Sequence, residues 1–122
     1  MQSVNGEGKL IVRNVTRDVV VATDAMIANT SETRNRGLLK HISLPQGEGL
    51  WIIPSQAVHC FGMKFDIDVL FLSKDKEVLK IKEHMKPRRI AICIWAHSVL
   101  ELPAGTVAST GTAKGDQLEF QR

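Results

Sequence analysis

Phe65-Asp66-Ile67-Asp68-Val69-Leu70-Phe71-Leu72, then Ser73-Lys74-Asp75-Lys76, then Glu77-Val78-Leu79-Lys80-Ile81-Lys82-Glu83, is the stretch on which the fold turns. Side chains alternate between the two faces of a strand. Phe65, Ile67, Val69 and Phe71 therefore share one face, and Asp66 and Asp68 share the other with Leu70 and Leu72. Ser73 to Lys76 is a polar turn. The return segment points Leu79 and Ile81 inward and Lys80 and Lys82 outward, so the whole stretch predicts a β-hairpin.

Short extended segments continue on both sides of it. Leu10–Asn14 reads as a strand, and Asp18–Ala28 as a longer one with Val19, Val21, Ala25 and Ile27 on a common face. The two predict a hairpin over Asn14–Arg17. Leu50–Ile53 is a short apolar strand that Pro54 ends, and Ala57–Met63 is a further extended run. Ser98–Leu102 and Gln117–Phe120 close the series across a turn-rich stretch through Gly105, Gly111 and Gly115. Ile90–Ala96 fits either a buried strand or an apolar loop folded over the core.

One helix is predicted where Thr30 or Ser31 can accept a hydrogen bond from a free N–H of a first turn. Glu32 there suits the helix dipole and stands four residues before Arg36. Such a helix runs to about Lys40 and buries Leu38 and Leu39. Gly37 weakens it by about 1 kcal/mol relative to Ala, which predicts close approach of another backbone at that point. Many short strands with turns about every ten residues predict an α+β, mostly β fold. The expected form is a small barrel- or sandwich-like antiparallel sheet with one or two short helices.

Composition sets the remaining bounds. The 122 residues fit one domain over 1–122, large enough to bury its own core. Hydrophobic residues at 43% and charged residues at 24% are globular values, which argues against a disordered chain. Aromatic content is 5% with no Tyr, too sparse for stacking platforms that bind sugars or single strands. The net charge is +3, but signs are interspersed, and Lys86-Pro87-Arg88-Arg89 is the single basic cluster. It reads as a solvated turn, so nucleic acid is not an expected partner. The N-terminal residues show no signal peptide, and no apolar run reaches the ~20 residues that span a bilayer. The expected location is the cytoplasm, away from membranes, with a small molecule or a protein as partner. Cys60 and Cys93 are expected to be free thiols, a bridge between them being the alternative.

Four stretches resemble one known family. These are Arg34-Asn35-Arg36-Gly37-Leu38-Leu39, Gly47-Glu48-Gly49-Leu50-Trp51-Ile52-Ile53-Pro54, Val58-His59-Cys60-Phe61-Gly62-Met63-Lys64-Phe65-Asp66-Ile67-Asp68-Val69-Leu70-Phe71-Leu72, and Val99-Leu100-Glu101-Leu102-Pro103-Ala104-Gly105 with Gly115-Asp116. In this order they are similar to the motifs of domain of unknown function 192, also called uncharacterised protein family 0127. The resemblance covers about Val20 to Phe120 and implies a compact β-rich α+β domain. It implies no reaction, ligand or catalytic residue. The chain departs from it at Cys60, where the family branch usually has Thr, at Asp66, where it has Pro, and over Ile90–Trp95, which is more apolar.

Chemistry is sparse in the pattern. His59 and Cys60 are adjacent, so on a strand they point to opposite faces and form no dyad. Asp66 and Asp68 on one strand face stand about 6.6 Å apart at Cα, a separation open to acid–base work. The plainer reading gives Asp68 backbone or Arg hydrogen bonds, with Arg36 as one candidate. His59, Phe61 and Met63 share a face if their strand is regular, which would suit a soft metal such as Cu(I). No metal-ligand spacing supports that, and no glycine loop fits a nucleotide. The expected protein is a non-catalytic binding or accessory module without cofactor or metal. Its working surface is expected around Arg36, His59, Met63, Lys64 and Asp68, where polar groups interrupt apolar segments. The alternatives are a small hydrolase or thiol enzyme using Cys60 or Asp68, and a soft-metal site at His59 and Met63.

Overall fold

The computed structural model describes residues 9–39 and 41–122. Nine strands and two short helices follow one another as β1 (Leu10–Asn14), β2 (Val19–Ala28), α1 (Ser31–Arg36), β3 (Glu48–Ile52), β4 (Ala57–His59), β5 (Ile67–Leu72), β6 (Val78–Met85), β7 (Ile90–Ile92), β8 (Ser98–Pro103), α2 (Thr106–Thr110) and β9 (Leu118–Gln121). Seven of the strands form one sheet in the order β6-β5-β8-β3-β2-β1-β9, while β4 and β7 make a separate two-stranded ribbon. The outermost strands approach each other: Val78 N–H donates to Asp116 O at 2.8 Å, and Leu118 N–H to Lys76 O at 3.0 Å. The sheet thus curls into a half-barrel.

Both predicted hairpins are present, β1–β2 and β5–β6. One expectation needs correction. The sheet is not wholly antiparallel, because β2 and β3 run parallel from Asp24↔Glu48 to Ala28↔Ile52. The chain leaves the end of β2, passes through α1 and re-enters beside β2, and a crossover of that length is what parallel pairing requires.

The hairpin strand β5 lies between β6 and β8, and all six of its residues are buried. Its two faces feed two separate clusters. Ile67, Val69 and Phe71 join Met26, Leu50 and Val99 beneath a cover made by the residues after α1 and by the ribbon. Leu70 and Leu72 join Val12, Ile27, Leu100 and Leu118, with Val107 of α2 against them. Burying a side chain such as Phe71 stabilises the fold by roughly 1.5–3 kcal/mol.

The helix is shorter than its sequence suggested. Thr30 caps α1: its Oγ1 accepts from Thr33 N–H at 3.1 Å, and Thr33 Oγ1 accepts from Thr30 N–H at 3.1 Å. The helix stops at Arg36, because Gly37 takes φ 49° and ψ −128°. A Cβ at position 37 would come no nearer than 3.9 Å to Arg34 O, so the left-handed backbone, not close approach, is what calls for glycine here. Leu38 is then turned into the core and Leu39 is half-buried, while the expected last helical residue, Lys40, lies outside the described residues. Ala57–Met63 is also less regular than expected: β4 ends at His59, and Gly62 has φ 81° in the turn that follows.

Ile90–Ala96 is neither fully buried strand nor covering loop. It forms the short β7, whose Ala91 points inward and whose Ile90 and Ile92 are exposed, then a turn at Ile94 and Trp95. No helix among the described residues is long and apolar enough to cross a membrane.

Two buried carboxylates tie these pieces together. Asp116 accepts from Asn14 Nδ2 at 2.9 Å, Arg17 Nε at 2.9 Å and Ala113 N–H at 2.9 Å, which joins the first hairpin to the turn before β9. The Arg17 guanidinium holds its pKa down at about 2. Asp68 is fully buried in β5. Its Oδ1 accepts from His84 N–H at 2.9 Å, and its Oδ2 from Gly105 N–H at 3.1 Å and Val107 N–H at 2.8 Å. His84 has φ 48° where the β5–β6 register slips, so Asp68 fixes that irregularity and also caps α2 from a neighbouring strand. Replacing Asp68 by Ala leaves three N–H groups without an acceptor, each worth about 1–3 kcal/mol when orphaned. Urea denaturation of Asp68→Ala should show a loss of about 3–5 kcal/mol with an unchanged m-value; a loss below about 1 kcal/mol would contradict this role.

Candidate functional site

The residues that follow α1 do not seal the sheet beneath them. Between Arg34–Leu39 on one side and Ile52, Ser55, Val58 and His59 on the other lies a cleft of about 390 Å³. The size suits a small molecule. The helix cap and the left-handed Gly37 set its first wall, by turning Arg34 and Arg36 to the mouth and Leu38 into the core. The end of β3 and the start of the ribbon set the second wall. Leu39, Ile52, Val58 and Met63 give the interior an apolar lining.

Glu101 of β8 also lines the cleft. In the sheet it sits between Leu50 of β3 and Val69 of β5, on the face that carries Val99. The side chain is only 5% exposed, and no hydrogen bond or ion pair to its carboxyl is present among the described residues. Burial pushes its pKa up to about 7. A buried carboxyl without a partner is costly, and this one faces the cleft, where an incoming donor would relieve it.

Arg36 lines the same cleft and makes no ion pair with Glu32 among the described residues. Arg34 donates through Nη1 to Asn29 O at 3.1 Å, which steadies it at the rim. His59 is exposed at the mouth, its ring 5.6 Å from that of Phe61. The arrangement is a cationic mouth over an apolar chamber with one acidic group at its depth.

Of the residues singled out by sequence, Arg36, His59 and Met63 come together here. Lys64 is exposed and off the cleft, and Asp68 is committed to three backbone N–H groups on the other face of β5. No Arg36–Asp68 pair forms. Asp66 stands before β5 rather than in it and pairs with Lys86 at 3.3 Å, so the two carboxylates do not share a site. Met63 follows the turn after β4, so the regular strand face expected for His59, Phe61 and Met63 is absent. Groups of three or more His, Cys, Asp or Glu side chains placed to hold a metal are absent among the described residues. Cys60 and Cys93 are free. Cys60 is fully buried, and burial, reinforced by the charges of Glu101 and Asp66, pushes its thiol up to about 11.

Sequence reasoning missed Glu101, Arg34, Asn35 and Ser55. For Glu101 a signal existed: Val99-Leu100-Glu101-Leu102 places one charge inside a strand that is apolar on both faces.

The family model DUF192, described as an uncharacterised ACR, matches residues 12–120. No curated protein matches. A solved structure from Novosphingobium aromaticivorans DSM 12444, a protein of unknown function, is 23% identical with a TM-score of 0.78, covering 91% of this chain and 83% of that one. Another, from Sinorhizobium meliloti 1021 and described as a candidate transcription regulator, is 22% identical with a TM-score of 0.81, covering 93% and 92%. At such identities the likeness is one of fold.

The buried Glu101 makes a pH-dependent prediction. Its carboxyl is protonated up to about pH 7 in the folded chain and ionises near 4.5 in the unfolded one. Between those values the folded state binds more protons, so stability falls as pH rises from 4.5 to about 7. The interval corresponds to about 3 kcal/mol. Glu101→Gln should remove that slope and be the more stable form at pH 8, as read by urea titrations across the range; an unchanged slope would count against the assignment.

Proposed function

The chain belongs to the DUF192 family, and from that premise we propose that it is a non-catalytic binding module for a small organic anion. The observation that carries this reading is the buried Glu101, without a hydrogen-bond or ion-pair partner among the described residues, facing a cleft whose mouth holds Arg34, Arg36 and His59. A ligand carboxylate would sit at the guanidinium groups, which match its geometry. A hydroxyl or amine on the same ligand would donate to Glu101. Leu39, Ile52, Val58 and Met63 would pack on its carbon skeleton.

An enzyme reading has less support. Catalysis by nucleophile and base needs the two within hydrogen-bond reach in an open site. The Cys60 thiol lies in the core with a raised pKa, the opposite of an activated cysteine. The lone pairs of Asp68 are taken by the backbone. His59 and Met63 border the same cleft, but groups of three or more His, Cys, Asp or Glu side chains placed to hold a metal are absent among the described residues.

A thermal-shift screen of hydroxy- and amino-carboxylic acids tests the proposal. A ligand at one hundred times its Kd contributes about 2.7 kcal/mol, enough to raise Tm by several degrees. Arg36→Ala and Glu101→Gln should each weaken binding about tenfold or more by calorimetry. A screen without hits, or hits indifferent to both substitutions, would refute the site. A thiol titration with an aromatic disulfide reagent separates out the enzyme reading. Half-buried Cys93 should react in the native protein and Cys60 only after unfolding; rapid native labelling of Cys60 would revive the thiol alternative.

A further inference from the structure

The ribbon carries a second feature that the cleft does not use. β4 and β7 pair through Ala57↔Ile92, Val58↔Ala91 and His59↔Ile90. Val58 and Ala91 are buried against the core, so the opposite face of the ribbon looks outward. On it Ile90 is 58% and Ile92 53% exposed, and the turn that follows holds Ile94 and Trp95 at 65% and 81%. Phe61 adds another exposed ring beyond the end of β4. Scattered surface hydrophobics are ordinary, but several on one short ribbon mark an interaction face.

Positive charge frames this face. Lys80 donates to Ile92 O at 2.8 Å, which places its ammonium beside the ribbon. Arg89 O accepts from Cys60 N–H at 2.8 Å, and Arg88 N–H donates to Cys60 O at 2.9 Å, which holds the backbone of both arginines against the residue before Phe61. A shallow second cleft of about 350 Å³ sets Lys82, Lys86 and Arg89 against Ile90. Glu83 is the one acidic residue lining it. Arg88 and Arg89 are exposed and make no ion pair among the described residues.

We propose that the outward face of the β4–β7 ribbon docks on an anionic lipid surface, with Ile94 and Trp95 entering the headgroup layer and Lys82, Arg88 and Arg89 meeting lipid phosphates. Trp and aliphatic side chains beside Lys and Arg are the composition of interfacial anchors. Basic residues next to an apolar patch are drawn by the potential of acidic lipids. A second copy of the chain fits less well, because a two-fold interface pairs this face with itself and so gathers two cationic clusters in one interface. A rigid protein partner would need a matching pocket for the protruding tip at 94–95, whereas a bilayer receives it without one. Such attachment lies on the membrane and calls for no spanning helix.

Co-sedimentation with sonicated vesicles tests this on the full chain. Vesicles of phosphatidylglycerol mixed with phosphatidylcholine should bring the protein down, and pure phosphatidylcholine should retain at least tenfold less. Raising NaCl from 0.1 to 0.5 M should weaken the binding about tenfold or more, since screening tightens with salt. The double variants Ile94→Ser/Trp95→Ser and Arg88→Glu/Arg89→Glu should each lose binding about tenfold or more. Both pairs are exposed, and circular dichroism with the unfolding midpoint checks that the fold is kept. Absence of sedimentation with acidic vesicles would overturn the proposal. Concentration-dependent dimers in ultracentrifugation, abolished by Ile94→Ser/Trp95→Ser, would overturn it in favour of self-association.

Discussion

A sheet covered on both faces gives its central strands no side that looks to water. β5 and β8 therefore carry apolar residues at successive positions, and any polar side chain among them must find its partners inside the protein. Asp68 meets that demand fully: one carboxylate satisfies the irregular turn of β6 at His84 and the first N–H groups of α2. Asp116 does the same where the first hairpin meets the start of β9. Hydrophobic burial supplies most of the stability of the half-barrel, and these two acids add joints between segments far apart in sequence.

Glu101 is set in the same sheet and breaks the rule the other two obey. It lies one strand away from Asp68, in register with Val69, yet it receives no donor among the described residues. The difference is in what covers each face. On the Asp68 side α2 delivers backbone N–H groups directly onto the carboxylate. On the Glu101 side the chain after Gly37 arches away toward Leu38 and Leu39 and leaves a cleft. An acidic group without a donor among the described residues, cationic side chains at the rim and an apolar lining are the features on which the proposed small-molecule site rests.

The outward face of the ribbon obeys a different logic. A two-stranded ribbon buries one face only, and its free face would ordinarily be polar. Here it presents Ile90 and Ile92, continued by Ile94 and Trp95, beside arginines that make no ion pair among the described residues. The cleft and the ribbon share His59 at their border.

The hairpins, the strand Ser98–Leu102 and a helix start at Thr30 or Ser31 were legible in the sequence because each depends on local rules: side-chain alternation, turn composition, and one side chain capping one helix end. The parity of β5 was equally plain, and its two faces do feed two clusters. Parallel pairing of β2 with β3 was not legible, because strand direction follows from where α1 crosses the sheet. Arg36, His59 and Met63 could be noticed one by one, but their meeting with Glu101 requires the turn at Gly37, the end of β4 and the order of strands together. Local pattern alone determined which segments are extended and which residues are apolar. Only the tertiary structure decided which buried acid is satisfied and which one faces a cavity, since that depends on donors brought in from distant parts of the chain.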